Sequence, residues 1–133
     1  MPDIPRYTPV VTLLAIGFYF FLATRVARAR LKLDVKLPAT TGHPDFERIF
    51  RVHMNTLEWL PTFLVPLWLC ALYLSDPVAA LLGLAWIAGR AWYFVGYSKS
   101  VQGRLPGFFV QSAVCALLFI GAAAGVVLRL AAR

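Results

Sequence analysis

Four stretches of this chain run for a membrane's thickness with at most one charged residue each, and that fact governs what it can fold into. They extend from Tyr7 to about Val26, Val52 to Ser75, Pro77 to Ser98 and Leu105 to Leu128; the second carries Glu58, the third Arg90 and the fourth no charge. A helix rises about 1.5 Å per residue, so about 20 apolar residues cross the hydrocarbon layer. The runs are continuous rather than alternating, which predicts helices and not the strands of a membrane barrel. With 60% hydrophobic and 14% charged residues in 133, a water-soluble globule of this size is excluded, because it could not hide so much apolar surface. The expected fold is all-α and integral to the membrane: a single domain over residues 1–133, a four-helix up-down bundle. The first run is long and its basic cluster follows it, unlike a cleaved signal peptide.

The net charge of +7 is unevenly placed. Arg25, Arg28, Arg30, Lys32, Lys36, Arg48 and Arg51 lie between the first two runs, Lys99 and Arg104 between the last two, and only Arg6, Arg129 and Arg133 at the other end. Short basic loops stay on the cytoplasmic side, so both termini are expected outside and both basic loops in the cytoplasm. The excess then orients a membrane protein and does not point to nucleic acid. The bundle suits a bacterial inner membrane, with the endoplasmic reticulum as the alternative. Loop one, with Pro38, Gly42 and Pro44, reads as ordered irregular chain on the membrane face, and Ser75-Asp76-Pro77 as a tight turn.

The informative residues are polar ones inside the runs. Arg51, Asn55 and Glu58 are spaced by four and three, on one helical face; Arg90, Tyr93 and Tyr97 repeat the pattern on the third run. Ionisable groups in a bilayer face protein, water or each other. A Glu58–Arg90 ion pair clamping two helices is one reading and a binding site the other. Charge counting bears on the choice: Arg30, Arg51, Arg90 and Arg104 can gather near one membrane face with Glu58 as the only nearby acid, which leaves cations for an anionic ligand. Arginine's fork suits carboxylates, a lone glutamate suits an ammonium, and tyrosine stacks and hydrogen-bonds. A small zwitterionic peptide with two carboxylates, one amine and a thiol would use the whole set. Taken singly, Arg30 and Arg104 could instead meet lipid phosphates.

Other residues read as structural. Cys70 and Cys115 sit in apolar runs as core residues; His53 has no second histidine at metal-ligand spacing, so no metal site is expected, and His43 reads as solvated. Trp59, Trp68, Trp86 and Trp92 read as interface anchors and lipid-facing bulk. Pro61 and Pro66 each remove a helix hydrogen bond and are expected to bend the second run beside Glu58. Gly121-Ala-Ala-Ala-Gly125 has the spacing of close helix approach.

The order of these residues resembles the membrane-associated proteins in eicosanoid and glutathione metabolism, a family that includes microsomal glutathione transferases and leukotriene C synthases. The resemblance rests on Phe46-Glu47-Arg48-Ile49-Phe50-Arg51-Val52-His53-Met54-Asn55-Thr56-Leu57-Glu58 with Pro61, on Gly89-Arg90-Ala91-Trp92-Tyr93-Phe94-Val95-Gly96-Tyr97-Ser98, and on Arg104. It implies a homotrimer with glutathione between subunits near the cytosolic face. Arg51, Asn55, Glu58, Arg90, Tyr93, Tyr97 and Arg104 become glutathione contacts, Arg30 and His53 reach in from the adjacent protomer, and Arg104 stabilises the thiolate. The activity implied is glutathione transfer to a hydrophobic electrophile, with peroxidase action on lipid hydroperoxides. Leu31 replaces a second arginine of the leukotriene C synthases, so that Ala29-Arg30-Leu31-Lys32 looks more like the microsomal transferases, and Trp59 replaces a tyrosine of the synthases, removing a hydroxyl from that place. Two rival functions are a nonenzymatic lipid-binding or scaffold protein of the same family and a small multidrug exporter. The exporter reading lacks the acid such proteins carry in their first helix.

Overall fold

The computed structural model describes residues 3–133, and among them four long helices and one short turn of 3-10 helix make up the regular structure. The helices are α1 (Thr8–Lys32), α2 (Pro44–Tyr73), α3 (Asp76–Lys99) and α4 (Leu105–Ala131); the 3-10 turn, Gln102–Arg104, runs directly into α4. All four are long and apolar enough to cross a membrane. α2 and α3 form the middle of the bundle, each touching all the other helices, whereas α1 and α4 do not meet. Leu13, Leu81, Phe119 and Ile120 point outward and are more than 60% exposed, an apolar surface suited to a membrane.

Local chemistry explains the helix ends. Each helix has a proline in its first two positions, where the missing N–H removes no bond. The Ser75 side chain caps α3 by accepting from the N–H of Val78. His43 is not simply solvated: its Nδ1 accepts from the N–H of Asp45, 3.1 Å away, and caps α2. α1 is capped from outside, by the carboxylate of Asp76 at the head of α3. One Asp76 oxygen accepts from the N–H groups of Arg6 and Tyr7, at 2.7 and 2.9 Å. The other accepts from the N–H and hydroxyl of Thr8, at 3.0 and 2.7 Å.

Loop one is shorter than its sequence suggests. α1 continues to Lys32 and α2 begins at Pro44, so most of the basic residues assigned to the loop lie on helix and only residues 33–43 are irregular. The polar residues at these ends are compatible with helix wherever the backbone can follow its own ladder into the interface. α2 stays helical through Pro61 and Pro66.

In the core Phe63 and Trp86 stack face to face, 3.9 Å between centroids, and the indole N–H of Trp86 donates to Gln111 on α4. Trp86 is therefore a fully buried core residue rather than an interface anchor, made possible by a partner for its one polar atom. Cys70 and Cys115 are free and buried, as expected of core residues. Gly121 packs against Cys70 and Leu74, and Gly125 against the backbone of Tyr73, so this small-residue stripe seats α4 on α2.

Candidate functional site

The two polar stripes meet at the basic end. On α2, Arg51 donates from both terminal nitrogens to the two oxygens of Glu58, at 3.0 and 3.3 Å, a bidentate pair two helical turns long. Both side chains are half exposed, so the pair is open to competition from a ligand. Glu58 thus engages Arg51 and not Arg90, and the clamp between helices has other partners. Arg90 is wholly buried and donates to Asn55 Oδ1 at 2.9 Å and to Thr56 Oγ1 at 2.5 Å. Its guanidinium also lies 4.3 Å from the Tyr93 ring centroid. A buried cation held by neutral oxygens and an aromatic face fixes the orientation of the Asn55 amide.

Tyr93 and Tyr97 stack on each other with centroids 5.5 Å apart, and the Arg104 guanidinium stands 6.0 Å from the Tyr97 ring. Arg104 also donates to the Val101 carbonyl at 2.6 Å. The position of Arg104 follows from glycine. A Cβ added at Gly96 would run into the carbonyl of Gly103, and one at Gly107 into the backbone of Tyr93. Without side chains there, the 3-10 turn and the start of α4 lie directly on the last turns of α3, with Ser100 Oγ accepting from the N–H of Gly103.

Between these elements opens a cavity of about 390 Å³ whose walls include Arg51, Asn55, Tyr93, Tyr97 and Arg104. Its other wall is apolar, from Val101, Leu105, Phe108 and Phe109. A second hollow of about 440 Å³ shares Arg51, Tyr97 and Val101 and continues past Glu47 and Arg48 to Thr40 in loop one. Together they make a trough from the loop into the bundle, basic at one end and greasy at the other. By contrast, a groove between α1 and α3 lined by Val10, Leu14, Leu81 and Leu84 has no charged wall to hold a peptide.

The sequence-based site therefore divides. Arg51, Asn55, Tyr93, Tyr97 and Arg104 share one cavity; Glu58 joins through Arg51, and Arg90 supports Asn55 from behind. Arg30 and His53 lie elsewhere in the protomer. Arg30 turns into loop one, donating to the carbonyls of Val35 and Ala39 at 3.3 and 2.7 Å, with Phe46 under its guanidinium. His53, two residues from Arg51 and Asn55 and so on another face of α2, stacks on Tyr19 of α1 at 4.7 Å. Neither ring nitrogen of His53 has a hydrogen-bond partner in the protomer. The apolar wall was not among the sequence candidates; its signal is that Leu105, Phe108 and Phe109 follow Arg104 at helical spacing.

The MAPEG family model matches residues 8–124. The chain belongs to the MAPEG family. It is 45% identical over 113 residues to an uncharacterized protein of Synechocystis, covering 85% of this chain and 82% of that one. It is 40% identical over 116 residues to human microsomal glutathione S-transferase 2, covering 87% and 79%. It is also 37% identical over 125 residues to guinea pig (Cavia porcellus) leukotriene C4 synthase, covering 94% and 83%. With four apolar helices of spanning length, this MAPEG protein is integral to a membrane.

Proposed function

We propose that this MAPEG protein is a membrane glutathione transferase that activates the thiol of glutathione for attack on a hydrophobic electrophile. The observation that carries the reading is the trough, which brings Arg51, Asn55 and Arg104 into one cavity with the apolar Phe108 and Phe109. Relatives named as a microsomal glutathione S-transferase and a leukotriene C4 synthase support glutathione as the co-substrate.

In this reading Arg51 binds a carboxylate of the tripeptide, Glu58 its ammonium, and Asn55, Tyr93 and Tyr97 the peptide groups between. Arg104 faces the sulfur. A free thiol has a pKa of about 8.5, so it is mostly protonated at neutral pH, and a guanidinium beside it favours the thiolate. The thiol proton leaves to water, the sulfur lone pair forms a C–S bond to the electrophile, and the leaving group departs with the displaced electron pair. With a lipid hydroperoxide the thiolate takes the terminal oxygen as the O–O bond breaks and the alcohol leaves, and a second glutathione thiol converts the resulting sulfenic acid to the disulfide and water. The electrophile comes from the bilayer along α4, past Phe108 and Phe109. Orientation and charge supply the rate, with no covalent intermediate on the protein.

The reading includes a homotrimer in which Arg30 and His53 complete a neighbour's site. What supports it is that neither side chain lies in its own protomer's trough and that both His53 nitrogens lack partners. It also places the basic end in the cytoplasm, where glutathione is supplied. The test is conjugation of glutathione to a chlorinated dinitrobenzene by purified protein, with Arg104→Ala beside the wild type. Turnover by the wild type and its loss in the variant are expected. Saturable glutathione binding without turnover in any of several detergents would make the protein a binder, and no binding at all would remove glutathione from the account.

A further inference from the structure

At the basic end Arg48 pairs with Asp45, Arg51 with Glu58, Arg90 with Asn55 and Thr56, and Arg30 with loop carbonyls. Among the described residues Lys36 and Lys99 have no ion-pair partner, and neither have three cations gathered on α1. Arg25, Arg28 and Lys32 follow one another by three and four residues, so they share a helical face, and none makes an ion pair among the described residues. Asp34, the acid nearest in sequence, is exposed and pairs with none of them. Arg25 is only partly exposed, and its Nε is shut off from solvent without a hydrogen-bond partner. The Nε atoms of Arg48 and Arg90 are shut off in the same way, so what sets this face of α1 apart is its three charges with no ion-pair partner.

The same face continues towards the middle of the membrane through Phe21, Phe18 and Leu14, at the same alternating spacing of three and four. Phe21 and Leu14 are about half exposed, and Phe21 rests edge-on against Phe94 of α3. One face thus presents an apolar strip about 10 Å long, enough for the upper part of an acyl chain, and then, at the interface, three uncompensated cations. We infer that the α1 face bearing Arg25, Arg28 and Lys32 is a binding site for a phospholipid with a net anionic headgroup. The phosphate meets Arg25 and Arg28, Lys32 adds to the attraction from the next turn, and a chain lies along Phe21 and Phe18. A zwitterionic headgroup brings its own cation and gains less. Arg25, Arg28 and Lys32 do not line the trough, and Arg30, assigned above to a neighbour's site, lies on another face of α1, so this site is separate from the one proposed for glutathione and does not depend on it.

The site is tested by titrating the detergent-solubilised full chain with short-chain phosphatidylglycerol and, separately, phosphatidylcholine. Attraction to anionic headgroups is worth about five-fold per basic residue near the surface. Wild type is expected to bind phosphatidylglycerol in preference, and Arg25→Gln/Arg28→Gln/Lys32→Gln to bind it about a hundred-fold more weakly. The exposed pair at the opposite end, Arg129→Gln/Arg133→Gln, is expected to leave binding unchanged. Should the triple variant fail to fold, Arg28→Gln alone is expected to lose about five-fold. Equal affinity for the two lipids in wild type, full affinity in the substituted protein, or displacement of the lipid by millimolar inorganic phosphate would each overturn the assignment.

Discussion

The two ends of the bundle use charge in opposite ways. At the Asp76 end a single carboxylate is consumed by structure: three N–H groups and one hydroxyl from the start of α1 satisfy it within 3.0 Å. At the Arg104 end cations outnumber acids. Arg51 holds Glu58 in a half-exposed pair that a ligand can rearrange, and Arg104 rests on one backbone carbonyl. The first end is closed by its own chain, while the second has charge to spare and a trough to receive it. Substitutions at the Asp76 end should therefore move stability and leave catalysis alone, and those at the Arg104 end the reverse, except where glycine couples the two.

That coupling gives the sharpest test. Gly107→Val would overlap the Tyr93 backbone, and overpacking of this kind costs about 3 kcal/mol. Both the melting temperature in detergent and glutathione turnover are expected to fall, because α4 cannot move without carrying Arg104. Arg104→Ala should act on catalysis only, lowering kcat/KM about a hundred-fold, or about 2.7 kcal/mol, with an unchanged melting temperature. Its activity should also return as pH rises towards the pKa of the free thiol, whereas Arg104→Lys should keep part of the neutral-pH rate. Asp76→Ala should show the opposite pattern, losing about 1–2 kcal/mol of stability with kcat/KM within about two-fold of wild type. The smallest change is expected at Gly17, in the middle of α1 with open space around it. Gly17→Ala should raise stability by at most about 1 kcal/mol and leave turnover untouched. A large catalytic defect in Asp76→Ala would erase the contrast between the ends.

The four spans and the stripe Arg51–Asn55–Glu58 were legible in the sequence because hydropathy and helical spacing are local properties. Which acid pairs with which base was not. Glu58 could reach Arg51 two turns below it or Arg90 across the interface, and the choice depended on Asn55 and Thr56 being placed to take Arg90. His43 and Asp76 escaped for a similar reason: one caps its own helix through Nδ1, and the other caps a helix that begins 68 residues before it. Trp86 looks from composition like an interfacial residue; its burial depends on Gln111, 25 positions away, to accept its N–H. The apolar wall of the trough was hidden because Phe108 and Phe109 resemble any lipid-facing pair until the helix carrying them is seated against Gly89 and Tyr93.

The decisive measurement is the ultraviolet absorbance of glutathione thiolate on the purified protein, followed through a pH titration. If Arg104 faces the bound sulfur, a thiolate band should be present at neutral pH, more than a unit below the pKa of about 8.5 for a free thiol, and should disappear in Arg104→Gln. Bound glutathione that ionises no more readily than glutathione in solution, or a band that survives the substitution, would contradict the account.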